Sequence, residues 1–477
     1  MRTDDATLAT VVEYVEEQRI RLGIPGMAVA IVVGDEVRVV EGLGVTSDGD
    51  AIKPDTVFLV NSLSKSITAF ALIKLVESGL VDLDSPVSAY IPELAPDGDQ
   101  VSVRDVMHHR SGISDELPAR DQHDLESNIA LGPHLRSNAA YWYTNANYDL
   151  LALLVERVSG LSFADYVEEN IFDPLGMNRS SVGTDRAQRF GPADGHYRWL
   201  FLGYQPLEIP VDHGQVGSAA MYSTAIDMAR YLIAHLNGGA YRTSQLLSEE
   251  GVETLHEAHP YTDEFLSGYG GGLHVDPANA SDTPIAFAPR KTVWHDGASE
   301  TFRSVMWMTL GPDIGMVILA NGNDAIEGSW IGQLSYRTRL LLSGEEPPDM
   351  ANQADFLIRW SKHLYLALLL LQIVFVLLVI PPLRGLRNGD PPSTRQWVTL
   401  GAATLIDIAA AFLVLMVTPA VSNEPLSRTM ELPDYRILLT AILLGVLWGI
   451  IRTILLALWL ARPKRQNTPD KLQTTRT

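Results

Sequence analysis

The sequence predicts an α+β fold: one antiparallel sheet flanked by helices, with a helical insertion, followed by an α-helical transmembrane region. Three observations carry that expectation. Strand patterns cluster in residues 25–60 and again in 269–322. The stretch between them is mostly apolar at helical spacing. Beyond residue 363 come three long apolar runs, 364–382, 398–418 and 437–460. Strand patterns on both sides of a helical block fit one sheet built from both ends of a domain. The late strands have connections too short for crossovers, which makes the sheet antiparallel.

Each element has its own signal. ATLATVVEYVEEQRIRLG (6–23) is helical in period and stops at a glycine. PGMAVAIVVGDEVRVVEGLGV (25–45) reads as two strands around a Gly-Asp turn. TVFLV (56–60) is a short strand, and NSLSKSITAF (61–70) follows it, becoming helical from Ile67 to Gly79. Shorter helical pieces fill Val101–Met177, NYDLLALLVERVSG being the clearest, and STAIDMARYLIAHLNGG (223–239) is another helix. YGGGLHV, KTVWHDG, FRSVMWMTL and GMVILANG read as strands, and WIGQLSYRTRLLLSG (330–344) as a last helix. The domain expectation is therefore a globular part over 1–345, a linker over 346–362, three spans within 363–461 and a basic tail over 462–477.

Charge divides the chain the same way. The formal net charge is −21, yet from Phe356 onward there are 13 basic and 6 acidic residues. The preceding part is strongly acidic, which speaks against nucleic acid as its partner, because phosphate binding needs a basic patch. The chain has no cysteine, so disulfides, thiolate catalysis and cysteine-bound zinc are excluded.

Each apolar run is near the ~20 residues that span a bilayer as a helix, so the lipid bilayer is an expected partner. Arg384, Arg387 and Arg395 lie between the first two runs, and Arg462, Lys464 and Arg465 follow the third. Positive loops favour the cytoplasm. The expectation is a multi-pass cell-membrane protein with its globular domain outside the cytoplasm. MRTDDATLATVVEYVEEQ carries no apolar signal core, so this topology expects an export signal ahead of the given start, the alternative being a domain that stays in the cytoplasm against the charge rule. Asp407 and Arg452 fall inside the runs, roughly 12–14 Å deep at 1.5 Å per residue, where either they pair with each other or Arg452 snorkels to the interface.

Ser62 and Lys65 are one helical turn apart and share a face. The first turn is an odd place for an ammonium, since the helix dipole opposes it there, and burial also favours the neutral amine. A lysine at its ordinary pKa of about 10.4 is a poor base at neutral pH, whereas a shifted one can take a proton from a serine. The bland alternative makes Ser62 or Ser64 a helix cap and leaves Lys65 in water. Two further stretches bear on the choice. In YWYTNANYDL, Tyr143 can relay a proton and Asn145 can bond a substrate amide. In VWHDGASETFRS, Gly297 ends a strand and admits close backbone approach. The N–H of Ala298 can join that of Ser62 as an oxyanion hole.

Taken in order, S-x-x-K, Y-x-N and H-x-G resemble the serine β-lactamase and penicillin-binding-protein-like hydrolases, on the branch nearest class C β-lactamases. The likeness runs from about residue 8 to 345 and includes FLVNSLSKSITAFALIKLVESGLVDLDSPVSAYIPEL, MHHRSGI, YTNANYDLLALLVERVSGLSFADYV, DPLGM and GSAAMYSTAIDMARYL. It implies an α/β part joined to an all-helical subdomain, with the site between them. It further implies Ser62 as acylated nucleophile, Lys65 as its base, Tyr143 as proton shuttle, Asn145 as substrate-orienting residue, and His295 with Gly297 lining the cleft. The third motif departs from class C β-lactamases, where a lysine supplies a fixed cation. His295 stands here, with a charge expected to depend on pH, and Arg303 is a candidate cation nearby.

The expected function is a membrane-anchored serine hydrolase acting through an acyl-enzyme on amides or esters, such as D-amino-acid peptides or β-lactams. The alternatives are an esterase of the same fold, or a sensor that is acylated with little turnover. The substrate is a small molecule or peptide. No cofactor or metal is called for, because His256 and His259 have no third ligand in sequence. His108 and His109 read as packing residues of a structural turn, and Tyr141 and Trp142 as cleft wall or core.

Overall fold

Eight antiparallel strands form the main sheet, with the first two seated beside the last. In the computed structural model the described residues are 3–113, 125–199, 203–209, 213–262, 266–278, 290–323 and 330–347, except 138 and 312, with only scattered positions beyond 362. The strands are β1 (Gly26–Val33), β2 (Glu36–Gly44), β3 (His259–Pro260), β4 (Gly268–Tyr269), β5 (His274–Asp276), β6 (Thr292–Ala298), β7 (Arg303–Thr309) and β8 (Ile314–Ala320). Their order is β3-β4-β5-β6-β7-β8-β1-β2. β1 pairs with β8 from Met27 opposite Ala320 to Val33 opposite Ile314, so the two ends of the domain meet at one ladder.

The principal helices are α1 (Asp5–Leu22), α2 (Ser64–Glu77), α3 (Asn145–Ser159), α4 (Ala225–Leu236) and α5 (Trp330–Ser343). Asp4 caps α1 by accepting from the Thr7 N–H at 3.0 Å, and Gly23 ends it in the left-handed conformation. Both faces of β1 are covered, which explains its unbroken apolar run. Met27, Val29 and Ile31 bury with Leu8, Val11, Trp307, Met316 and Trp330 against α1 and α5. Ala28, Ala30 and Val32 bury in the larger core, which also takes in residues of α2, α3 and α4. The alanines leave room for α4, which packs on β1 and β8.

Two expectations need correction. The intervening block is not purely helical: Phe58–Leu59 and Ser181–Val182 flank Met221–Ser223 in a small sheet, and His196–Trp199 pairs with Gly203–Pro206. YGGGLHV is not one strand but two, β4 and β5, separated by a turn. Gly272 has φ +73°, and a Cβ there would lie 2.4 Å from the backbone nitrogen of Ser66. The turn thus packs on the start of α2, and only glycine fits.

By contacts the chain divides into Met1–Asn352 and Gln353–Thr477. Among the described residues no helix is long and apolar enough to cross a membrane. The three apolar runs are described only at scattered positions, and Asp407 and Arg452 lie outside the described residues. Within the second unit Leu366, Leu370, Ile373, Val374 and Leu377 are helical and exposed.

Candidate active site

The nucleophile turn is set by the small sheet before it. Leu59 pairs with Tyr222, and the Val60 N–H bonds the Met221 carbonyl at 2.9 Å. A 3₁₀ turn, Asn61–Leu63, follows and runs into α2 at Ser64. The helix therefore begins three residues earlier than its apolar period indicates. Asn61 takes a positive φ of 52°, and its carbonyl accepts from Ser64 Oγ at 2.7 Å. Neither serine is an N-cap: the helix has no side-chain cap, and Ser62 Oγ faces Lys65 instead.

Lys65 is fully buried rather than solvated. Its Nζ lies 3.0 Å from Ser62 Oγ, 2.7 Å from Asn145 Oδ1 and 3.0 Å from the Ser218 carbonyl. The last two are pure acceptors here and take two N–H bonds in either protonation state. Only the Ser62 hydroxyl can change roles. It accepts from an ammonium or donates to an amine lone pair, so a proton can pass between Oγ and Nζ with the other two contacts intact.

Tyr143 sits outside any helix or strand just before α3, and Asn145 is the first residue of that helix, capped by Thr144. The Tyr143 hydroxyl shares a hydrogen bond with Ser62, and its ring lies 4.8 Å from Lys65 Nζ. Burial pushes the phenol well above its usual value, the bond to Ser62 opposing. It is thus a neutral donor and acceptor at physiological pH.

β6 forms the opposite wall. Gly297 is buried, and a Cβ there would lie 2.3 Å from Ser304 Oγ and 2.4 Å from the Val60 carbonyl. The approach that demands glycine is thus that of the protein's own nucleophile turn. The Ser299 N–H bonds the Phe302 carbonyl at 3.1 Å, which fixes the phase of the β6–β7 ladder. Opposite residues alternate between bonded and non-bonded pairs, so Ala298, opposite Arg303, turns its N–H away from β7. β5 pairs only as far as Trp294, so it does not cover that N–H.

His295 differs from expectation. It is 1% exposed, with Nε2 3.1 Å from the Tyr269 hydroxyl and Nδ1 2.5 Å from the Asp296 carbonyl. Nδ1 therefore carries the proton and Nε2 accepts. Burial above all, with His274 and Lys65 adding to it, holds the imidazole well below its usual value. It is a neutral ring at physiological pH, not a charge that switches there. Arg303 lies 3.5 Å from Asp296 and donates to Asn323 Oδ1 at 2.9 Å.

Ser62, Lys65, Tyr143 and Asn145 thus converge, while His295, Gly297 and Ala298 line β6 beside them. Ser218, Tyr269 and Asn61 escaped the sequence reading. Ser218 acts through its carbonyl, which no side chain announces, and Tyr269 meets His295 only through folding. Of possible metal ligands, His274, His295 and Asp296 bring ligand atoms within 4.8 Å of one another. Closure on an ion would break the bonds of His295 just described. His256 instead pairs with His235 at 3.0 Å, while His259 is exposed.

A serine hydroxyl bonded to a buried amine, with a phenol beside them and a strand edge opposite, is the equipment of an acyl-transferring hydrolase of the serine–lysine type. The family model described as Beta-lactamase matches residues 10–329, and the chain belongs to that family. It is similar to a β-lactamase of Yersinia enterocolitica, at 24% identity over 63% of this chain and 83% of that one. It is also similar to the D-alanyl-D-alanine-carboxypeptidase/endopeptidase AmpH of Escherichia coli, at 29% identity over 46% of this chain and 60% of that one. A teichoic acid D-alanine hydrolase of Staphylococcus aureus is 26% identical over 51% of this chain and 61% of its own. The chain thus spans less than two thirds of these last two relatives. Among solved structures, the octameric penicillin-binding protein homologue from Pyrococcus abyssi superposes with a TM-score of 0.60 at 25% identity, covering 71% of this chain and 78% of that one.

Proposed function

We propose that the protein is a serine hydrolase that forms an acyl-enzyme at Ser62 and hydrolyses esters or amides. The observation that carries this reading is the 3.0 Å contact between Ser62 Oγ and a fully buried Lys65 Nζ. In the first half-reaction Ser62 Oγ attacks the acyl carbonyl and its proton passes to Lys65 Nζ. The N–H groups of Ser62 and Ala298 face the developing oxyanion. The leaving group receives its proton through Tyr143, which recovers one from Lys65. In the second half a water attacks the ester, passes a proton to the same pair, and Ser62 Oγ departs with it.

The wall of the cleft narrows the substrate. Both nitrogens of His295 are occupied by protein, and Arg303 is held by Asp296 and Asn323. Among the described residues of β6 and β7, therefore, no cation is directed at a ligand. This favours acyl donors without a free carboxylate facing β6, hence esters over β-lactams and D-peptides ending in a carboxylate. The membrane reading is part of the same proposal: the three apolar runs anchor the enzyme, supported by the exposed leucines, isoleucine and valine of the described positions.

The test is purified protein and Ser62→Ala against a panel of p-nitrophenyl esters, D-alanyl peptides as acids and as amides, and penicillin, with intact-protein mass spectrometry. Ester turnover lost in Ser62→Ala supports the reading. A persistent acyl mass without turnover indicates the sensor instead. Activity retained in Ser62→Ala overturns it.

A further inference from the structure

Tyr143 belongs to no helix or strand, so something other than a backbone ladder must hold its hydroxyl toward Ser62. We propose that His109 is the positioning residue for Tyr143, fastening the chain on both sides of it and backing its ring. This rests on the reading of Ser62 as an acylated nucleophile.

The fastening has three parts. The His109 carbonyl accepts from the Trp142 N–H at 2.8 Å. Its Nδ1 accepts from the Thr144 N–H at 3.4 Å. The residues before and after Tyr143 are thereby tied to one histidine. The imidazole also packs on the Tyr143 ring, centroids 4.6 Å apart.

His109 is itself held firmly. Asn147 Nδ2 lies 2.9 Å from the same Nδ1, and Asn147 Oδ1 accepts from Ser111 Oγ at 2.6 Å. The rings of Tyr269 and Tyr148 stand 4.6 and 5.2 Å away, and the residue is 1% exposed. Its φ of +58° is in the left-handed region, which L residues rarely adopt. A right-handed residue there would prolong the preceding helix, Val103–Met107, and carry carbonyl and ring away from Trp142–Thr144.

The ring chemistry argues against simple space filling. Two N–H donors converge on Nδ1, so that nitrogen is unprotonated and the proton sits on Nε2. Nε2 is buried and has no hydrogen-bond partner among the described residues. A phenylalanine would fill the same volume without stranding that N–H, but it could not accept at Nδ1. The acceptor is what the site retains.

The test is a double-mutant cycle on the full chain with p-nitrophenyl acetate, using His109→Gly, Tyr143→Phe and the double variant. Glycine keeps the left-handed backbone and removes the ring. His109→Asn, which also tolerates that backbone and offers an amide oxygen, is the rescue. His109→Gly is expected to lower kcat about 10- to 100-fold, the scale of a small misplacement of a catalytic group, with KM within about 3-fold. On Tyr143→Phe the same change should cost less than about 3-fold, because the two act as one unit, and His109→Asn should recover part of the loss. The alkaline limb of the pH–rate profile should move down in His109→Gly as water reaches the Tyr143 phenol. The groups facing that residue are Ser62, Lys65, His109, Tyr141, Tyr148, Tyr269, His295 and Asp296.

Losses that multiply in the double variant, or that follow the unfolded fraction seen by circular dichroism, would overturn the proposal. If His109→Gly does not fold, the same cycle with His109→Phe, which keeps a ring and removes the acceptor, decides. Wild-type protein inert to esters, with Ser62 unlabelled by a fluorophosphonate, would instead sink the reading of Ser62 and this proposal with it. An active wild type beside an equally active His109→Gly would sink this proposal alone.

Discussion

Replacing Lys65 by methionine separates chemistry from stability, because the structure predicts opposite sizes for the two. The substitution keeps most of the stem and removes the amine. Asn145 Oδ1 and the fully buried Ser218 carbonyl each lose a partner, at about 1–3 kcal/mol for each buried group left unpaired. Against this, a buried ionisable group no longer has to be kept from water, a gain of several kcal/mol. The two effects largely cancel, so the melting temperature should move by only a few degrees. Activity has no such offset. Loss of a positioned base costs about 10²- to 10⁴-fold, or roughly 3–5 kcal/mol of barrier. The assay is stopped-flow acylation by a p-nitrophenyl ester beside a thermal melt. Lys65→Arg should fail similarly, since a guanidinium cannot give up its proton. Acylation by Lys65→Met within 10-fold of wild type would show that Ser62 does not depend on this amine.

Other outcomes follow from single features. Gly297→Ala places a Cβ against Ser304 and the Val60 carbonyl, so it should destabilise by about 1–3 kcal/mol and lower acylation by shifting the nucleophile turn; unchanged kinetics would contradict the close approach. Tyr143→Phe should slow leaving-group departure most for poor leaving groups, so that alkyl esters lose more than p-nitrophenyl esters; equal losses would remove its role as proton relay. Burial pushes His108, His235 and His274 down to about 4, 3 and 3. With folded values below the unfolded one, the unfolded chain binds more protons under about pH 6.5. Stability should therefore fall as pH drops from 6.5 toward 4, by roughly 1 kcal/mol per pH unit for each histidine. The carboxyl of Asp227, pushed up by burial, opposes this at the lower end. Guanidinium midpoints at pH 7 and 5 check the sign, and a higher midpoint at pH 5 would refute it.

What could be read in the sequence is what depends on local spacing. The apolar runs of β1, β7 and β8 announce themselves because both faces are buried, and the three-residue step from Ser62 to Lys65 survives into the helix with its contact intact. What could not be read depends on segments far apart in sequence. The neutrality of His295 is set by burial first, with His274 and Lys65 adding to it, neither of them its sequence neighbour. The break in YGGGLHV reflects the backbone of Ser66, which the stretch itself does not contain. His109 looked like packing because its acceptor role needs Trp142 and Thr144 beside it.

The pairing of β1 with β8 has a bearing on biosynthesis. During translation β1 can pair with β2 early, Met27 facing Leu43, but its other edge has no partner until Ala320 has left the ribosome, so the central ladder is among the last parts of the domain to close. Until then β1 exposes an apolar edge that can pair wrongly or recruit another chain. The nascent domain should therefore need shielding by a holding factor. A fragment ending before β8 should be insoluble rather than partly active, however complete its Ser62–Lys65–Tyr143 set.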